Sequence, residues 1–203
     1  MYIDFSQWDP SAIYHLMTQT VVPRPIAWVL TESTDENFNL APFSYFTAVS
    51  SQPPLLMISI GKKPSGEIKD TARNAKEKGK LVIHIADVGL AEAVTKTAAT
   101  LEHGESEVAA NDIELSEFEG FALPRVKACP VAFGCTLYQM QEIGATPQTL
   151  LFAKVEQVYL DERIIKMQGE RLNVDALTLD PLSRLGGGEY ATLEKTFTIQ
   201  RPQ

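Results

Sequence analysis

The stretch from Pro23 to Lys62, PRPIAWVLTESTDENFNLAPFSYFTAVSSQPPLLMISIGK, constrains the fold more than any other part of the chain. Apolar runs alternate with small hydroxyl residues, and prolines punctuate them, a pattern that reads as consecutive β-strands. Pro23 and Pro25 push the chain into an extended path, and Ile26 to Thr31 follows as a strand. The segment TDENFN is a turn rich in Asp and Asn. Leu40 to Thr47 is a second strand, and Pro42 within it argues for an edge position or a bulge. Leu55 to Ile60 is a third, far too short to span a bilayer and right for a buried strand. The strand ends present Ser, Thr and backbone amides, and they offer no catalytic acid or base.

The flanking segments carry different signals. Asp9 and Pro10 start a helix through SAIYHLMTQ, with the aspartate as cap and the proline in the first turn. Alanines and charges predict a short exposed helix from about Gly66 to Lys78. Leu81 to Ala86 is a buried strand, and Val88 to Thr100 is Ala-rich with helical spacing. Glu102 to Ala122 is acidic and irregular, and is expected to wrap the surface or reach a neighbouring subunit as an arm. Val131 to Ile143, Leu150 to Leu160 and Ile164 to Met167 read as three further strands. Strands outnumber helices and do not alternate with them. That argues against a doubly wound parallel sheet and for a mainly β antiparallel barrel with peripheral helices. No repeat, low-complexity tract or linker divides residues 1–203, so one domain is expected.

Charge and cysteine content narrow the function. A net charge of −8 disfavours nucleic acid and anionic membrane surfaces as partners. Cys129 and Cys135 are too few for a disulfide framework, and with three histidines they form no zinc-type set, so no metal is expected. They read as small buried thiols in a reduced, cytoplasmic compartment. The N-terminus MYIDFSQWDPS lacks the pattern of a secretory signal.

Motifs for several chemistries are missing. There is no glycine fingerprint of a dinucleotide-binding βαβ unit, no Walker-type loop and no G-x-S-x-G elbow. Gly186-Gly187-Gly188 serves better as a flexible turn with exposed amides. His15, His84 and His103 lie far apart; each reads first as structural, with His84 on a strand that could face a site. What remains is a constellation suited to a flavin mononucleotide. Such a ligand needs an apolar slot for its ring, backbone groups along its polar edge, and a cationic cradle for its phosphate. Pro42-Phe43-Ser44-Tyr45-Phe46 can supply the slot, and Arg24, Lys69, Thr71 and Arg73 the cradle. Asp70-Thr71 at a helix start adds amide donors and a favourable dipole. Core packing of Phe43 and Phe46, and a solvated helix face for Lys69 and Arg73, explain the same residues without a ligand.

Ordered blocks of sequence favour the ligand. Pro23-Arg24-Pro25-Ile26-Ala27-Trp28-Val29, Asn39-Leu40-Ala41-Pro42-Phe43-Ser44-Tyr45-Phe46 and Ser50-Ser51-Gln52-Pro53-Pro54 resemble the flavin reductase-like, FMN-binding split-barrel family, with flavoredoxin-type proteins as the nearest pattern. The resemblance continues through Lys69-Asp70-Thr71 with Asn74, Leu81-Val82-Ile83, and Pro181-Leu182-Ser183-Arg184-Leu185-Gly186-Gly187. It implies a six-stranded antiparallel Greek-key barrel and a homodimer that binds FMN near its interface. It also implies roles. Thr31 and the run Asn39, Ala41 and Pro42 would lie along the flavin, with Ser44 and Phe46 close to the ring. Ser59, Ile60 and Gly61 would approach from the next strand. Lys69, Asp70 and Thr71 would hold the phosphate, while Arg184 and Gly186 would cover the site. The turn before Asn39 departs from the family by lacking a glycine, and His84 stands where members commonly carry Asn.

The activity implied is that of an NAD(P)H:flavin oxidoreductase, with hydride passing to flavin N5 and no catalytic side chain required. The alternative is an FMN-binding electron carrier with no nicotinamide activity of its own. A barrel that binds no flavin is a third possibility.

Overall fold

The computed structural model describes residues 1–34, 37–102, 104–145 and 147–202. Seven strands form one antiparallel sheet: β1 (Ala27–Thr34), β2 (Asn37–Phe43), β3 (Phe46–Ser51), β4 (Pro54–Ile60), β5 (Lys80–Ile85), β6 (Val131–Ile143) and β7 (Gln148–Leu160). Their spatial order is β2-β1-β5-β6-β7-β4-β3. The expected barrel is present, and the β3–β4 hairpin contributes an additional rim strand. The segment read as one strand from Leu40 to Thr47 is two, because the chain leaves the ladder at Ser44 and Tyr45. Pro42 sits in β2, an end strand of the sheet, where its missing N–H breaks no ladder bond. His103 and part of the TDENFN turn lie outside the described residues.

Alternation along the strands gives the sheet two apolar faces. Ala27, Val29, Phe43, Ile58, Ile60, Leu81, Ile83, Cys135, Leu151 and Ala153 form a single cluster. Phe43 comes from the strand at one end of the order and Ile58 from the strand next to the other end, so the sheet must curl to bring them together. The interior is closed by helix α2 (Asp70–Lys78), which buries only Thr71, Ala72, Asn74 and Ala75. These small side chains let the helix approach closely, and Gly79 ends it in the left-handed conformation at φ 72°. The helix begins at Asp70 rather than Gly66, because Gly66 serves a tight turn at φ 87°.

The outer face of β1, β5 and β6 is covered by the chain between β5 and β6. Trp28, Leu30, Val82 and Ala132 pack there against Val94, Phe118, Leu123 and Val126. Of the two expectations for the acidic segment, wrapping the surface is the one seen: it packs on its own barrel, and Phe118 is 5% exposed. The predicted helix from Val88 to Thr100 is a short 3-10 turn followed by α3 (Ala91–Lys96). Its end is fixed where Thr97 Oγ1 accepts the Trp28 indole N–H at 2.9 Å. Trp28 is fully buried, and truncating such an aromatic to alanine costs roughly 3–5 kcal/mol. Helix α4 (Glu107–Ala110) then caps the free rim of β2. Glu107 Oε2 accepts the Leu40 N–H at 3.0 Å, and Ser106 Oγ donates to the Phe38 carbonyl.

Candidate functional site

Where β2 ends and β4 ends, the barrel is split. The Ser59 N–H donates to the Tyr45 carbonyl at 2.8 Å across this seam. A cleft of about 840 Å³ opens beside it, walled by Pro42, Phe43, Ser44, Ser59, Gly61 and Lys69. Helix α1 (Pro10–Thr20) forms the opposite wall with Ile13, Tyr14 and Met17. A smaller polar recess of about 90 Å³ adjoins the cleft at Asn39, Ala41, Lys69, Asp70 and Thr71.

The electrostatics of Lys69 set the character of this region. Its ammonium lies 5.5 Å from the centre of the Phe43 ring. Burial, and secondarily the neighbouring Lys63, hold its pKa below the ordinary lysine value. Lys63 itself pairs with Asp70 at 2.7 Å. Among the described residues Lys69 makes no ion pair, so it is a half-buried cation at the start of α2 without a carboxylate counter-ion. A flat ring with an anionic tail fits these residues: apolar and aromatic walls, hydroxyls at Ser44 and Ser59, a side-chain-free approach at Gly61, and a cation at the helix start.

The predicted residues divide into two groups. Ala41, Pro42, Ser44, Ser59, Gly61, Lys69, Asp70 and Thr71 line the cleft or its recess. Others support it. Thr31 is fully buried and its Oγ1 accepts from Asn74 Nδ2 at 3.2 Å, so its side chain holds α2 and does not reach the cleft. Asn39 lines the recess, but its Nδ2 donates to Thr71 Oγ1 at 3.0 Å. Ile60 is 1% exposed and points into the barrel, and Phe46 packs against the same core. Arg24 is turned away from the Lys69 end. Its guanidinium donates to the carbonyls of Thr18, Val21 and Leu185, fastening α1 to the C-terminal loop. Arg73 lies in a separate shallow depression with Pro64 and Glu67. Arg184 stacks on Tyr190, with 4.7 Å from guanidinium carbon to ring centre. Gly186 is pressed against Gln19, where an added Cβ would stand 3.2 Å from that residue's Cα.

His84 does not face the cleft. It is fully buried on the outer face, its Nδ1–H donating to the Trp28 carbonyl at 2.9 Å and its Nε2 accepting the Val126 N–H at 3.0 Å. Burial lowers its pKa to about 4, so the ring is neutral and structural near neutral pH. Both cysteines are buried and free, and burial pushes the Cys135 thiol up to about 12. No group of His, Cys, Asp and Glu among the described residues is placed to hold a metal.

The strand-by-strand reading missed the α1 wall, the Lys62–Gly66 turn and Gln148. The helix did leave a signal. Ile13, Tyr14 and Met17 fall on one face at helical spacing, yet Tyr14 and Met17 remain 62% and 43% exposed, an apolar stripe without a core to fill.

The match to known proteins agrees with this geometry. The family model for the flavin reductase-like domain matches residues 17–172. The chain belongs to the flavin reductase-like family. It is 39% identical over 207 residues to the uncharacterized protein YwrF of Bacillus subtilis (strain 168), with all of both chains covered. Nitrilotriacetate monooxygenase component B from Bacillus cereus superposes with a TM-score of 0.90 at 34% identity, covering 98% of each chain. The 2-nitrobenzoate 2-nitroreductase NbaA of Pseudomonas fluorescens gives 0.88 at 27% identity, covering 100% of this chain and 96% of the other.

Proposed function

We propose that residues 1–203 form one FMN-binding oxidoreductase domain that takes hydride from NADH or NADPH, working as a homodimer in the cytoplasm. The observation that carries this reading is Lys69, a half-buried cation that makes no ion pair among the described residues, standing at a helix start beside an apolar cleft. An anionic ligand would give it the counter-charge it lacks. The family assignment and the printed names of the similar proteins, a monooxygenase component and a nitroreductase, support redox chemistry.

When bound, FMN would supply the ring atom that accepts hydride from the reduced nicotinamide. The chain's own work is to hold and shield. Lys69, with the start of α2 at Asp70 and Thr71, would receive the phosphate. Pro42 and Phe43 would flank the ring, while Ser44 and Ser59 meet its polar edge. Tyr14 and Met17 of α1 would exclude water from the open face. No side-chain acid or base is needed, because orientation of the two rings dominates such a transfer.

Steady-state oxidation of NADH and NADPH with added FMN tests the proposal, and turnover with at least one donor is expected. Bound FMN without turnover would leave the electron carrier. A preparation that stays colourless after incubation with FMN would overturn both.

A further inference from the structure

A second cationic recess opens from the same cleft, away from Lys69. It measures about 120 Å³ and is lined by His15, Thr18, Arg24, Ser44 and Arg184. It shares Tyr14 and Ser44 with the cleft and has neither Lys69 nor Thr71 in its wall. No aspartate or glutamate lines it among the described residues; Glu189 contributes only a backbone carbonyl, to Arg184 at 3.3 Å.

The state of its two arginines is unusual in a chain of net charge −8. Arg24 is only 6% exposed, yet every partner it has is neutral. Nη1 donates to the Thr18 and Val21 carbonyls, Nη2 to the Leu185 carbonyl at 2.9 Å, and Nε makes a long contact of 3.5 Å to Ser44 Oγ. The second Nη2 proton has no acceptor among the described residues. The carbonyl end of α1 offsets part of the charge. The rest is a buried cation without a counter-ion among the described residues, a costly arrangement unless an anion joins it. Arg184, half-buried at the same recess, likewise donates only to carbonyls, those of Gly187 and Glu189.

Resting on the flavin reading above, we infer that this arginine recess binds a phosphate of the nicotinamide donor, separately from the flavin phosphate at Lys69. A mononucleotide has a single phosphate and cannot fill two cationic recesses at once. A dinucleotide laid along α1 carries further phosphates, and Arg24 and Arg184 meet them with the planar fork suited to phosphate oxygens. Arg24 therefore does two things: it fastens α1 to the C-terminal loop and leaves a donor facing the ligand.

The test uses the full chain and Arg184→Gln. This site is chosen because Arg184 is half-buried and its strand pairs with Arg24–Pro25 through the backbone. The variant should raise KM for NADH or NADPH about tenfold, with kcat and the FMN dissociation constant changed less than about twofold. Inorganic pyrophosphate should compete with the donor in the native protein and weakly in the variant. Arg184→Lys should recover part of the loss. A rise in the FMN dissociation constant with riboflavin untouched would overturn the inference by assigning the recess to the flavin phosphate. Unchanged KM and unchanged pyrophosphate inhibition would overturn it outright. If the native protein oxidises neither donor, the reductase reading has failed, and calorimetry with pyrophosphate then decides the recess alone. Binding lost in Arg184→Gln would uphold the anion site and overturn its assignment to a donor; no binding would overturn both.

Discussion

Lys69 and Gly186 show how differently single residues serve this cleft. Lys69 offers charge, and a hydrogen bond to a charged group is worth about 1.5–3 kcal/mol. Lys69→Ala should therefore weaken FMN by roughly ten- to a hundredfold and leave riboflavin nearly unaffected, as read by quenching of flavin fluorescence. Equal weakening of both ligands would contradict the assignment. Gly186 offers space. A methyl group there would press on Gln19 of α1, whose Cα would lie 3.2 Å away. Gly186→Ala should lower the urea midpoint, at a cost of about 1–3 kcal/mol, and loosen α1 with it. The sequence displayed the glycine but not its neighbour: residues 19 and 186 meet only because the C-terminal loop returns to the first helix.

Among the elements, the chain between β5 and β6 is held by an unusual clasp. His84 of β5 donates to Trp28 of β1 and accepts from Val126 of the covering segment. Its lowered pKa, about 4 against an ordinary 6.5, comes first from burial, is opposed by the Trp28 carbonyl, and is deepened by Arg125. The unfolded chain takes up this proton at a higher pH than the folded one. Stability is therefore complete above about 6.5 and falls as pH drops toward 4, by roughly 3 kcal/mol. Urea midpoints across that window should show the loss. His84→Asn, which hydrogen-bonds but cannot charge, should flatten this part of the profile even if it lowers stability throughout. A profile identical to the native one would refute the clasp as its source.

The same elements show what was legible beforehand. The runs at Ile26–Thr31 and Leu55–Ile60 were plain because prolines precede them, and Leu81–Ala86 because an apolar run follows the charged stretch ending in Gly79-Lys80. The break at Ser44 and Tyr45 was hidden, since both residues suit a strand and only the seam with β4 pulls them out. The eight expected residues that line the cleft or its recess came from the family resemblance, whereas the α1 wall depends on packing that periodicity alone does not report. Thr31 and Asn39 were expected to lie along the flavin, but their side chains are taken by Asn74 and Thr71 of α2.

At the scale of the whole molecule, unpaired apolar surface is concentrated at the termini. Tyr2 is fully exposed, and Phe197 and Ile199 are 82% and 78% exposed. Such side chains on extended tails are favourable when another subunit covers them. Sedimentation should accordingly give about twice the chain mass of 22.4 kDa. A single-chain mass would count against the homodimer.

The two rims of the sheet carry opposite risks. β2 is sealed by Ser106 and Glu107, whose side chains occupy the groups that an added strand would need. On β3, Thr47 to Ser51 are exposed and bear no charge. When the protein is concentrated or partly unfolded, fibrillar self-pairing should begin along this second seam and leave the first untouched.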